Sequence, residues 1–194
     1  MNRSRTIVVL LVIILQSFPL IGGEMTYHIR QQDSLFGFEI YKWLVFKEEG
    51  RFREFAGTIT YDPDRPERTS VNITIEVASV DSRDTDRDQV IRGEEYFYAA
   101  RYPRLTFRST SARRGGMDTL LVAGELTMRG ISRQIEVPVR VMGVQDGPDG
   151  LGGIAGFEAS FVIRRTDFNI APRTNMLSNE VTIKLIVGAS TKRA

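Results

Sequence analysis

VNITIEV, residues 71–77, is the stretch from which the rest of the chain can be read. Val71, Ile73, Ile75 and Val77 alternate with Asn72, Thr74 and Glu76. A period of two gives an extended strand one dry face and one wet face. The same alternation resumes downstream, where Leu105, Phe107 and Ser109 interleave with Arg104, Thr106 and Arg108. Between the two lies a different kind of sequence, SVDSRDTDRDQVIRGEEYFYAARYPRLTFRST over 79–110. It holds a charged run, a helix-compatible segment at 86–92, the aromatic cluster Tyr96, Phe97 and Tyr98, and a turn at Tyr102-Pro103. Dry strand faces must be covered. A helical insertion carrying aromatics reads as a lid or plug for whatever those faces enclose.

Working outward, strands are expected at 26–29 and at 35–41, the second with Phe36, Phe38 and Ile40 on one side. Residues 43–46 lead into an acidic turn at 47–50. One long strand over 51–61 then carries Phe52, Phe55, Ile59 and Tyr61, with Gly57 as a bulge or bend. Beyond the insertion, 119–128 places Leu120, Val122, Gly124 and Leu126 on a common face, and Arg129-Gly130 signals a tight turn. Ile135, Val137, Val139 and Val141 define the next strand, in which Pro138 marks an edge or a bulge. Two more follow, one on Ala155, Phe157, Ala159, Phe161 and Ile163, the other on Val181, Ile183, Leu185 and Val187.

Eight or nine strands joined by short turns, with neither repeat nor domain linker, give an all-β antiparallel fold in up-and-down order. Periodicity alone leaves a sandwich open. A strand count near eight with one consistently apolar face favours a closed barrel of about eight strands, wide enough for one small ligand, with a short helical insertion. An outer-membrane barrel alternates in the same way with its apolar face toward lipid. Against it stand the charged insertion, the Lys192-Arg193-Ala194 ending, and the absence of aromatic girdles at strand ends.

The 194 residues suit one domain plus a targeting segment. Arg3 and Arg5, the apolar run 7–15 and the small-residue close at Gly22-Gly23 match a secretory leader over 1–23, leaving a domain over 24–194. An uncleaved anchor is the competing reading, but Gln16, Ser17 and Pro19 interrupt a run already short for a span of about 20 residues. A periplasmic or secreted domain without a stable membrane span is expected. The formal charge of +2 falls to zero once Arg3 and Arg5 are removed, so no basic surface points to nucleic acid.

With no cysteine, a disulfide framework, thiolate zinc site or thiol nucleophile is excluded. His28 is the only histidine and reads as a polar residue on a wet face, so neither a catalytic nor a metal site is expected. Arg87 beside Asp88 at the sheet–helix junction is a candidate anchor through bidentate pairing. Buried, such a pair costs about 3–5 kcal/mol when one partner is lost. Exposed, it is worth under about 1 kcal/mol.

The apolar interior is the functional asset. Rigid aromatic rings spread over many strands suit the lining of a cavity. If each strand's apolar set points inward, Phe38, Phe52, Ile75, Phe107, Val122, Val139, Phe157 and Phe161 line the bore. Trp43, Tyr96 and Phe97 are placed to close its mouth, and Arg164 or Arg165 to meet a polar head group. A prenyl or acyl chain gains about 0.8 kcal/mol per buried CH₂. A barrel packed solid with its own side chains is the alternative, and an enzyme acting on an apolar substrate a third.

The residues also resemble a known family. Gly57, Ile59 and Tyr61-Asp62-Pro63; Ser79-Val80-Asp81; Arg87-Asp88 and Tyr96-Phe97; Tyr102-Pro103 with Thr106-Phe107-Arg108-Ser109; the run 124–130, GELTMRG; 164–170; and Glu180-Val181 form an ordered series similar to the YceI-like polyisoprenoid-binding proteins. The resemblance runs from about 26 to 187. It implies a lipocalin-like barrel extended by a helix, a periplasmic location, and an isoprenoid or other amphipathic lipid as guest, with no catalysis and no other cofactor. Departures are Gln32-Asp33-Ser34, where the family usually has His before Ser, Phe168-Asn169-Ile170 in place of Phe-Gly-Ile, and the individual stretch 171–178. They bear on the ligand and the pocket mouth rather than on the fold.

Overall fold

The structure, a computed structural model, describes residues 23–148 and 150–192. The leader expected over 1–23 therefore lies outside the described residues except for Gly23. Extended segments are β1 (Met25–Ile29), β2 (Leu35–Lys42), β3 (Phe46–Phe52), β4 (Phe55–Tyr61), β5 (Ser70–Glu76) and β6 (Val80–Asp81). The single α-helix of the described residues, α1 (Thr85–Arg92), comes next. It is followed by β7 (Arg104–Arg114), β8 (Thr119–Met128), β9 (Ile131–Asp146), β10 (Gly153–Arg164) and β11 (Leu177–Ser190).

All pairings are antiparallel. β1 and β2 run in succession along β11. β4 and β3 pair with β1 and β2 in turn, and β5 and β6 with β4 and β3. Six segments are thus three long strands, each creased once. With β7 to β11 they make eight strands in up-and-down order, closed where His28 and Ile29 pair with Ser190 and Ala189.

The creases have a simple cause. Phe52 and Phe55 are both buried although three residues apart, as are Val77 and Val80, and Tyr27 and Phe36 are nine apart. A strand of period two sends residues at odd spacing to opposite faces. Each crease resets the parity: the 3₁₀ turn Gln31–Asp33, the break at Arg53 and Glu54, and the 3₁₀ turn Val77–Ser79. They sit side by side. Arg53 N–H donates to the Ser79 carbonyl (3.1 Å), Glu76 N–H to that of Glu54 (2.9 Å), and the Gln31 side-chain amide to that of Phe55 (2.9 Å). The single strand expected over 51–61 is therefore two.

Two further expectations are corrected, at 43–50 and at Gly57, and the edge expected at Pro138 is found. The turn after β2 is at 43–45, and the charged residues 47–50 are strand. Gly57 is no bulge, because the β4–β5 ladder runs through Gly57↔Ile73 without a shift. Its lack of a side chain answers a close approach, since a Cβ there would lie 2.4 Å from the Asn72 carbonyl. Pro138 pairs with Leu121 of β8, and β9 leaves β10 at the neighbouring Val139↔Ala159 pair. Its missing N–H thus falls on a locally open edge. Arg129 and Gly130, with φ of 51° and 72°, make the tight β8–β9 hairpin the dipeptide signalled.

α1 is mostly polar, and beside the packing of Ile91 on the core its charged side chains anchor it. The Asp84 carboxylate caps it by accepting from Arg87 N–H (3.0 Å), and the helix ends at Gly93. Arg87 and Asp88 do not pair, since consecutive helical residues point about 100° apart. Arg87 instead reaches Glu48 of β3 and donates to the Ser82 carbonyl (2.8 Å). Asp88 is buried and accepts from Ser82 N–H (2.8 Å) and its hydroxyl (2.6 Å). One expected pair becomes two separate ties to the sheet.

Candidate functional site

The inward faces do not meet in the middle. They leave an apolar cavity of about 600 Å³, within the range of ligand pockets. Its deep part is walled by Leu120 and Val122 of β8, Phe157 of β10 and Val187 of β11. Beyond these the far end is closed by Tyr27 and Tyr61, the latter edge-on to Phe157 with ring centroids 5.8 Å apart. Burial pushes the phenol pKa of both tyrosines up, as expected of hydroxyls held away from water.

Toward α1 the wall is aromatic. Phe38 and Phe97 flank Phe52, with centroid separations of 5.9 and 5.7 Å. Tyr96 and Ile91, from the insertion, border the cavity at the same end. The lining residues exposed to solvent, Glu49, Asp84, Val90 and Met176, are all on this side. The mouth therefore lies between the β2–β3 hairpin, α1 and the segment before β11. Lys42, Glu48, Ser82 and Arg87 add polar groups to it.

Of the residues expected at the site, Phe38, Phe52, Ile75 and Phe107 lie on the cavity wall, as do Val122, Val139, Phe157 and Phe161. Tyr96 and Phe97 border it near the mouth. Trp43 does not line the cavity: it stands at the tip of the β2–β3 hairpin with φ of 50°, 56% exposed. Arg164 is also misplaced, because the alternation of β10 turns it outward next to the inward Ile163. The neighbouring Arg165 is the one that reaches the cavity wall, 4% exposed.

Arg165 spends its five N–H groups on backbone. Nε donates to the Ser178 carbonyl (2.9 Å), Nη1 to those of Ile170 (2.9 Å) and Ala171, and Nη2 to those of Thr174 (2.9 Å) and Leu177 (3.1 Å). It makes no carboxylate pair among the described residues, and burial pushes its pKa down. Its work is to hold 170–178 in place, its charge met by five carbonyl oxygens rather than by a carboxylate. Asn169 holds a left-handed φ of 55°, which Asn tolerates.

Reading the sequence missed Lys42, Glu48 and Met176 at the mouth. No local signal marks them, because only the hairpin register and the docking of α1 bring them together. His28 lies on the outer face opposite the inward Tyr27, in a shallow groove with Arg30 and Asn72. Among the described residues no group of three metal-ligating side chains occurs.

A profile of the YceI-like domain matches residues 27–189. Protein YceI of Escherichia coli is 38% identical over 147 residues, 76% of this chain and 74% of that relative. Among solved structures, BcnA of Burkholderia cenocepacia superposes with a TM-score of 0.75 at 28% identity, over 84% of this chain and 99% of that one. A polyisoprenoid binding domain from Saccharophagus degradans shares the fold at a TM-score of 0.66 and 15% identity, over 86% of this chain and 98% of its own.

Proposed function

The chain belongs to the YceI-like domain family, and from that premise we propose that it is a lipid-binding barrel that sequesters or carries a long-chain isoprenoid of polyprenyl or quinone type. The observation that carries this reading is the apolar cavity of about 600 Å³, closed at the tyrosine end and open beside α1. A five-carbon isoprene unit gains roughly 3–4 kcal/mol gross on burial, so a few units outweigh the cost of ordering the chain. The polyisoprenoid named for the Saccharophagus domain supports the choice of guest. A leader over 1–23 would take the protein to the periplasm or beyond. Binding without a catalytic step is the activity proposed, the only histidine lying on the outer wall.

Organic extraction of the purified protein followed by mass spectrometry, with displacement of a fluorescent prenyl probe, tests it. A recovered isoprenoid and saturable one-site displacement are the expected results. No lipid in the extract together with no probe binding would sink the reading.

A further inference from the structure

The β2–β3 hairpin inverts the usual chemistry of a turn. Turns favour Gly, Asn, Asp and other polar residues, yet this one is built from Trp43, Leu44 and Val45 and runs into Phe46. Leu44 is 86% and Val45 69% exposed, and Trp43 and Phe46 stack edge to face outside the barrel, 6.1 Å apart. Trp43 and Leu44 also hold φ of 50° and 66°, a region that bulky residues avoid. Strain and exposure of this kind persist where a function keeps them.

We propose that this tip docks the barrel on a lipid bilayer, with the cavity mouth facing the membrane. Shape and the pairing of a cation with the aromatic tip favour that occupant. The patch is a projecting point, which an apolar medium can receive without a matching groove. Lys42 Nζ lies 4.6 Å from the Trp43 ring centroid, a cation at the base of an aromatic, as at a water–lipid boundary. The tip is also continuous with the mouth: Trp43 N–H donates to the Met176 carbonyl (2.7 Å), and Met176 and Lys42 both line the cavity. Val90 of α1, exposed on the same rim, extends the apolar border. A guest leaving the membrane would then enter the bore without crossing water. This inference builds on the lipid-binding reading but is tested apart from it.

Trp43 is the only tryptophan, so its fluorescence reports the tip alone, even in the full chain. Adding vesicles of phosphatidylethanolamine and phosphatidylglycerol should shift its emission to the blue, and acyl-brominated lipids should quench it. In the double variant Leu44→Ser and Val45→Ser, the lipid concentration at half-maximal shift should rise by about tenfold or more. Binding of the prenyl probe in vesicle-free buffer should be unchanged, because neither residue lines the cavity. Emission indifferent to vesicles would overturn the proposal while leaving the bore's function standing. So would emission that shifts with protein concentration in lipid-free buffer, which would assign the tip to a second copy. Insertion of Trp43 by a protein whose bore takes no prenyl probe would support docking and count against the lipid-carrier reading.

Discussion

At the end of the barrel away from α1, Tyr27 and Tyr61 are buried against Phe157 and the strands close over them. At the α1 end, Trp43, Leu44, Val45 and Phe46 stand in solvent while Lys42, Glu48 and Arg87 border the opening. One end places its largest apolar side chains where folding gains most from them. The other exposes comparable side chains at its rim, and its lid adds the ties of Arg87 to Glu48 and Ser82 to Asp88 to the packing of Ile91, Tyr96 and Phe97 on the cluster around Phe52. The closed end is thus built for stability, and the open end is where the proposed guest would pass.

Substitutions should separate the two. Tyr27→Ala at the closed end should cost about 3–5 kcal/mol of global stability, read by denaturant unfolding, as for other large aromatics in packed cores. Arg165→Met should cost about 3 kcal/mol, because five carbonyls lose their donors together. Hydrogen exchange should show that loss concentrated over 165–178, at the open end. Phe161→Ala, on the cavity wall, should cost only about 1–2 kcal/mol, since a side chain bordering a void has fewer partners to lose. Equal costs for Tyr27→Ala and Phe161→Ala would show a uniformly packed interior and break the comparison.

The smallest effect belongs to Asp81, beside α1. Hydrogen bonds from Arg53 (2.8 Å), from Arg83 N–H (3.1 Å) and from Arg51 (3.1 Å) lower its pKa from the ordinary 3.8 to about 2. A carboxyl with a lowered folded-state pKa contributes stability that is complete above about 4 and lost as pH falls toward 2. Arg51 and Arg53 are about half exposed, so screening holds the contribution under about 1 kcal/mol. Asp81→Asn should therefore flatten the stability profile between pH 4 and 2 and leave the remaining pH dependence alone; an unchanged slope in acid unfolding would remove Asp81 as its source.

The uninterrupted strands were the legible ones. In β8, β10 and β11 the apolar face can be read directly, and Val122, Phe157, Phe161 and Ile183 do face the bore. Legibility failed where parity broke. Phe52 and Phe55 read as one strand because both are apolar, and only the crease at Arg53 and Glu54 allows both to turn inward. It failed again at 43–50, where the apolar residues took the turn and the charged ones the strand. There the pairing Lys42↔Phe46 through Phe36↔Phe52 sets the loop, whatever its composition prefers.

From the residues alone came the all-β class, the up-and-down order, the inward aromatics and the helical insertion, because alternation and turn chemistry are local properties. The closure of β1 on β11, the aligned creases, the partners of Arg87 and Asp88, and the outward Trp43 and Arg164 required the folded chain. Each depends on which distant strand lies alongside. That choice is made by ladder hydrogen bonds and packing across the barrel, which no single stretch of sequence encodes.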